Sequence, residues 1–152
     1  VTIIAVTRLR LRSFRFLLRL NWESSKIERV LVDSPGFLGG KVLADRNRAY
    51  WTMTRWQDLD AMFSFRNSRA HAAAGKMLDK WCDEASVVHW ETEEDQLPSW
   101  NEAHRRMTEG GRLSRIALPS ADHKARRFRE PYWAKWREKS LHPAKSSASI
   151  AA

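Results

Sequence analysis

Residues 35–56, PGFLGGKVLADRNRAYWTMTRW, decide the fold. Phe37 to Ala44 and Ala49 to Trp56 are strand-like runs, the second rich in Tyr, Trp, Met and Thr. The polar turn Asp45-Arg46-Asn47-Arg48 joins them, so the pair reads as a hairpin. Gly39-Gly40 inside the first run mark a bulge or a close backbone approach. Upstream, Asp33-Ser34-Pro35-Gly36 stops a helix, because the residue before proline is pushed out of helical space and the glycine frees the turn. That helix starts at Ser13, a capping residue, and repeats Phe14, Leu17, Leu18, Ile27, Val30 and Leu31 at three- and four-residue steps. Before it, Thr2 to Arg10 reads as a strand. Downstream, Asp58 caps one long helix to about Trp81, and Ala85 to Glu91 is a further strand. The order β-α-β-β-α-β is the ferredoxin-like arrangement, so the expected fold class is α+β.

Leu97-Pro98 ends this unit, which divides the chain into residues 1–97 and an extension, 98–152. Ser99-Trp100-Asn101-Glu102 is a capping box opening a short helix to about Met107. From Arg112 onward there is no clear hydrophobic period, three prolines intervene, and the chain finishes in Ser/Ala-rich sequence. Phe128, Tyr132, Trp133 and Trp136 cluster there, so the extension is expected to be helical and irregular, partly ordered on its own domain or on a partner subunit. A ferredoxin-like sheet carries helices on one face only. Neither side of Ala49–Trp56 is thoroughly polar, so the other face is expected to be covered by the sheet of a second copy in a two-fold dimer.

The 152 residues include 27 Lys/Arg and 18 Asp/Glu, a net charge of +9. Residues 1–100 hold 15 basic against 13 acidic residues, and residues 101–152 hold 12 against 5, so the excess sits in the extension. Arg8, Arg10 and Arg12 share one strand face. Such charges read as a solvated face plus a basic tail, and nucleic acid is not the expected partner, since the aromatic RNA motifs and zinc-finger spacings are absent. No apolar run can insert across a membrane, and no basic-then-apolar leader opens the sequence, so the expected compartment is cytoplasmic. Cys82 is the lone cysteine, which excludes an internal disulfide and a cysteine zinc site. Its place at a helix C-terminus disfavours a thiolate. The phosphate-binding glycine motifs, the Gly-x-Ser-x-Gly elbow and His-Glu-x-x-His are missing.

Pro35-Gly36-Phe37-Leu38-Gly39-Gly40 before the hairpin, together with Trp51-Thr52-Met53-Thr54-Arg55-Trp56, Phe65 and Ser68-Arg69-Ala70-His71, resembles the signature of antibiotic-biosynthesis monooxygenase-type proteins. Trp81-Cys82-Asp83-Glu84-Ala85 and Leu97-Pro98-Ser99-Trp100 look similar to the spheroidene monooxygenase-like branch. The resemblance covers about residues 1–110. It implies a dimeric α+β barrel, a homodimer, and a monooxygenase-like enzyme acting on a hydrophobic or aromatic small molecule, either haem-dependent or cofactor-free. In cofactor-free members an electron-rich substrate reduces oxygen itself in a pocket that excludes water, which asks the protein for positioning and a base.

The candidate catalytic residues are His71, His89 and Trp56. His71 lies among alanines that leave room for a flat ligand, and it is the candidate axial ligand if haem is bound. His89 shares a strand face with Val87 and Glu91, and an imidazole there would move protons if that face is the cavity side. Trp22, Tyr50, Trp51 and Trp90 are candidate substrate-binding residues that would stack on a planar molecule. Arg8 and Arg55 would hold a carboxylate or phenolate through their planar forks. His104, His123 and His142 read as surface residues. Two alternatives stay open: a non-catalytic protein binding a small molecule or haem in the same cavity, and an interaction protein whose basic tail binds nucleic acid or an acidic partner.

Overall fold

In the computed structural model, which describes residues 1–144, Thr2–Leu11 forms β1 at the middle of one sheet. The hairpin strands Phe37–Ala44 (β2) and Ala49–Trp56 (β3) follow as read, and Cys82–Thr92 is β4. Ser13 accepts a hydrogen bond from the Arg15 amide, opening a short 3-10 turn that leads into α1, Leu17–Val32. Both expectations for the paired glycines hold. The β2–β3 register slips between Phe37 and Gly39, where Gly39 takes φ +144°, and a Cβ on Gly40 would stand 2.6 Å from the Met53 carbonyl oxygen.

The second helix differs from its reading. It is broken into α2, Leu59–Arg66, and α3, Arg69–Trp81. Asn67 and Ser68 interrupt it, and Ser68 Oγ accepts from the His71 amide as a new N-cap. His71 therefore sits in the first turn of a helix rather than deep inside a long one.

The extension builds α4 (Trp100–Gly110), β5 (Arg112–Leu113), α5 (Ala121–Lys124), a 3-10 turn (Lys135–Arg137) and β6 (Glu138–Leu141). β5 pairs with β4 and β6 with β2, so the extension supplies both edges of a six-stranded sheet ordered β5-β4-β1-β3-β2-β6. The Ser/Ala-rich finish lies outside the described residues. Among the described residues no helix is long and apolar enough to cross a membrane.

Strand alternation sends β1 side chains to two different cores. Ile3 packs with Leu31, Phe37, Trp56 and Met62 under the helices α1 and α2. Ile4 and Val6 pack with Trp51 and Met53 on the opposite face, and there Trp100, Ala103 and Met107 of α4 lie across them. Trp51, Met53 and Met107 have no solvent exposure within one chain. Burial of each such side chain is worth about 1.5–3 kcal/mol.

This corrects the expected barrel. The α+β arrangement of sheet and helices stands, but among the described residues the sheet is open, with β5 and β6 at its edges, and is not closed into a barrel. The physical reason is α4. The apolar face of β3, which called for a second sheet, is covered by the chain's own helix.

Candidate functional site

The two faces separate the candidate residues. On the helix face, register places Ala5 between Thr54 and His89, and Ile3 between Trp56 and Glu91. His89 is thus on the side that α2 and α3 cover, although it is itself exposed, with the Phe63 ring edge-on at 5.9 Å. Trp56 is buried and donates its indole N–H to Thr54 Oγ1 at 2.9 Å. Phe37 meets Trp56 at 5.5 Å, Phe65 lies against Trp56 at 5.3 Å, and His71 stands edge-on to Phe65 at 5.2 Å. Sheet and helices are thereby joined by a continuous aromatic wall ending in an imidazole. Burial pushes the His71 pKa below its ordinary 6.5, the backbone hydrogen bond at Arg66 works against this, and the Arg66 charge adds to it. Its place near the N-terminus of α3 favours the neutral ring further.

A cleft of about 420 Å³ opens beside this wall, between the Ser34–Gly36 turn and α2, and includes Gln57, Ala61, Phe65 and Ser68. Phe65 belongs to both cleft and wall. Phe63, Phe65 and Ser68 carry the site's shape, and only Phe65 and Ser68 stood in the motif that drew attention; none of the three was a candidate. The signal that would have found them is the Asn67-Ser68 pair, a helix stop and restart inside an apolar pattern.

The remaining candidates are elsewhere. Tyr50 faces the helices but packs with Leu11, Leu20 and Trp81 at the other end of the sheet. Trp51 and Trp90 lie on the α4 face, Trp90 beneath the Arg106 guanidinium at 5.2 Å. Arg55 is also on that face and holds Thr2 Oγ1 and the Asp95 carboxylate. Arg8 is 3% exposed and bonded to the buried Glu84, not a solvated strand charge. Arg10 joins the same carboxylate and Asp83, and Ser120 donates to it at 2.9 Å. Burial raises the Asp83 pKa, with Arg10 opposing. Trp22, expected to stack on a planar substrate, is on the outer surface of α1 and 67% exposed.

His123 and His104 are not free surface residues. His123 is buried and its Nδ1 accepts from the Ala85 amide, and His104 Nε2 meets the Phe128 carbonyl at 2.7 Å. Several arginines of the extension are spent on ion pairs, Arg105 and Arg106 with Glu102, Arg127 and Arg129 with Asp122. Cys82 is buried at the start of β4 and its thiol is pushed up to about 12, chiefly by burial and further by Asp83.

Among the described residues no three His, Cys, Asp or Glu side chains group to hold a metal ion. Haem needs a flat apolar slot with an axial nitrogen opening onto it. His71 is turned against Phe65, and neither it nor His89 lines the cleft. These side chains do not fit haem.

A family model described as Domain of unknown function (DUF3291) matches residues 16–137. No curated protein matches. Solved structures match the fold of antibiotic biosynthesis monooxygenases. A variant of SnoaB, a cofactor-independent oxygenase from Streptomyces nogalater, is similar at 15% identity and TM-score 0.53, over 64% of this chain and 98% of that one. Rv0793 from Mycobacterium tuberculosis is similar at 9% identity and TM-score 0.58, over 64% of this chain and all of that one (100%). An antibiotic biosynthesis monooxygenase is similar at 8% identity and TM-score 0.54, over 60% and 99%. Each covers its own length almost completely and leaves more than a third of this chain unmatched.

Proposed function

The chain belongs to the family described as Domain of unknown function (DUF3291), and from its fold we propose a monooxygenase-like enzyme that acts without a bound cofactor on a hydrophobic or aromatic small molecule held in the cleft between the Ser34–Gly36 turn and α2. The observation that carries this reading is the wall Phe37–Trp56–Phe65–His71 beside the cleft. Phe65 lines the cleft and gives a planar substrate its stacking surface, with the buried Trp56 and Phe37 behind it, and the wall's last member is a half-buried imidazole biased toward the neutral, proton-accepting form. That SnoaB performs cofactor-independent oxygenation on this fold supports the choice of chemistry.

For a substrate with an acidic CH₂ beside a phenolic ring, the balance is CH₂ + O₂ → C=O + H₂O. His71, which stands against Phe65 rather than in the cleft lining, takes the first C–H proton through one bridging water. The electron-rich carbanion supplies the electrons to dioxygen, one oxygen stays on carbon, and the other leaves as water with both protons. The protein contributes position, a base and a wall that limits water. His89, on the same sheet face, is the second proton carrier. Trp56 is locked by Thr54 and fixes the ring against which the substrate stacks.

The test is oxygen uptake with an electron-rich polycyclic phenol, comparing the chain with His71→Gln. General-base loss lowers kcat by roughly 10²–10⁴-fold and leaves KM little changed. An unchanged kcat would remove His71 from the chemistry.

A further inference from the structure

The outer face of α1 plays no part in the proposed site, and its composition is unusual for a solvated helix. Phe14, Leu18 and Trp22 recur at four-residue steps across the 3-10 turn and the first half of α1, and they are 68%, 82% and 67% exposed. Leu18 and Trp22, four apart on α1, stand one above another, and Phe14 precedes them in the 3-10 turn, so the three make a short apolar stripe. Beside it Arg15, Arg19, Lys26 and Arg29 are all exposed. Lys26 Nζ lies 5.5 Å from the Trp22 ring and the Arg48 guanidinium 5.4 Å from Phe14, which brings a further cation to the stripe.

The acids of α1 do not balance these charges. Glu23 and Glu28 are only partly exposed and are paired with Lys26 and Lys139. Arg15, Arg19 and Arg29 keep no ion-pair partner among the described residues. Asp33 stands beyond the helix end.

We propose that this face docks the protein onto an anionic lipid surface, with Phe14, Leu18 and Trp22 entering the headgroup boundary and the flanking cations meeting lipid phosphates. Large apolar side chains on a basic helix face are what interfacial binding uses, and tryptophan favours that depth. Two arguments choose this occupant. A second copy would bring the same cations against themselves, which disfavours a symmetric contact. The opposite side of α1 is fixed to the sheet through Leu20 and Leu31, so the helix cannot turn to bury the stripe. The contact is peripheral, made by side chains of a helix lying flat. It is independent of the oxygen chemistry, which uses the other side of this layer.

The experiment is flotation of the whole chain with phosphatidylcholine vesicles, with and without phosphatidylglycerol, at low and high salt. The chain should float with the phosphatidylglycerol vesicles at low salt and stay behind with phosphatidylcholine alone. Arg15→Ala with Arg19→Ala should weaken binding roughly thirtyfold. Leu18→Ser with Trp22→Ser should weaken it by at least roughly tenfold, with an unchanged circular dichroism spectrum because both residues are exposed. Absence of flotation overturns the proposal. So does full binding by the serine variant, which would make the attraction a general property of a basic protein. Sedimentation velocity covers the remaining rival: self-association abolished by the serine variant, with flotation unchanged, assigns the stripe to a second copy and overturns the lipid reading.

Discussion

Met107→Ala asks whether the sheet's second face is covered by this chain's own helix. Met107 is on the buried side of α4, without solvent exposure, in a cluster with Trp51, Met53, Trp100 and Ala103. Truncating a buried methionine loses its transfer energy and leaves a cavity, together about 2–5 kcal/mol. Large rigid neighbours such as Trp51 and Trp100 cannot easily collapse into the space, so the expected cost is in the middle of that span, about 3 kcal/mol. For a chain of this length that is a fall in Tm of roughly 6–12 °C. Urea unfolding followed by tryptophan fluorescence measures it. Thr108→Ala, an exposed neighbour on the same helix, should stay within about 0.5 kcal/mol of the parent chain. If another molecule's sheet covered this face and α4 stood away, Met107 would be exposed. Its truncation would then cost no more than the Thr108 control, and the unfolding midpoint would rise with protein concentration. Either result would refute the intramolecular cover.

Glu84 is the acceptor for both Arg8 and Arg10, and Glu84→Ala leaves the buried Arg8 guanidinium without a counter-charge. The expected cost is about 3–5 kcal/mol by urea unfolding, while a joint replacement of Arg8 and Glu84 by Met and Leu should recover much of it; a single-variant cost below about 1 kcal/mol would contradict the buried pairing. His71 makes stability depend on pH. Its folded pKa lies below the ordinary 6.5, so the unfolded chain binds the proton first as pH falls. The stabilisation is fully present above pH 6.5, is lost as pH falls through the lower folded value, and this slope should flatten in His71→Ala. An equal slope in parent and variant would sink that assignment.

The β-α-β-β-α-β order was legible because its boundaries are local. Pro35 and Gly36 stop α1, Asp58 starts α2, and the alternation around Asp45–Arg48 closes a hairpin. What covers the second sheet face was not legible, because α4 is short and mostly polar and its buried residues are only Trp100, Ala103 and Met107. β5 and β6 escaped for a related reason: as short edge strands, Arg-Leu and Glu-Lys-Ser-Leu need no alternating apolar pattern.

At the candidate site the histidines were visible as residue types, but their setting was not. The break at Asn67–Ser68 moves His71 to a helix start and brings Phe65 against it, a result of capping that the continuous apolar pattern conceals. The aromatic residues looked like one pool. Their assignment to two faces and an outer surface depends on the register of β3 against β1 and on which side of α1 meets the sheet. Alternation put Arg8 and Arg10 on one face, yet only the position of Glu84 across β4 shows that this end of the face is a buried ion cluster.

The direct test of the proposed chemistry is isotopic. The purified chain is mixed with an electron-rich polycyclic phenol under ¹⁸O₂, and the product is weighed by mass spectrometry beside a protein-free control. Enzyme-dependent product is expected to carry one atom of ¹⁸O on the oxidised carbon, with the second recovered in water. Product that forms no faster than in the control, or that carries no label, would contradict it.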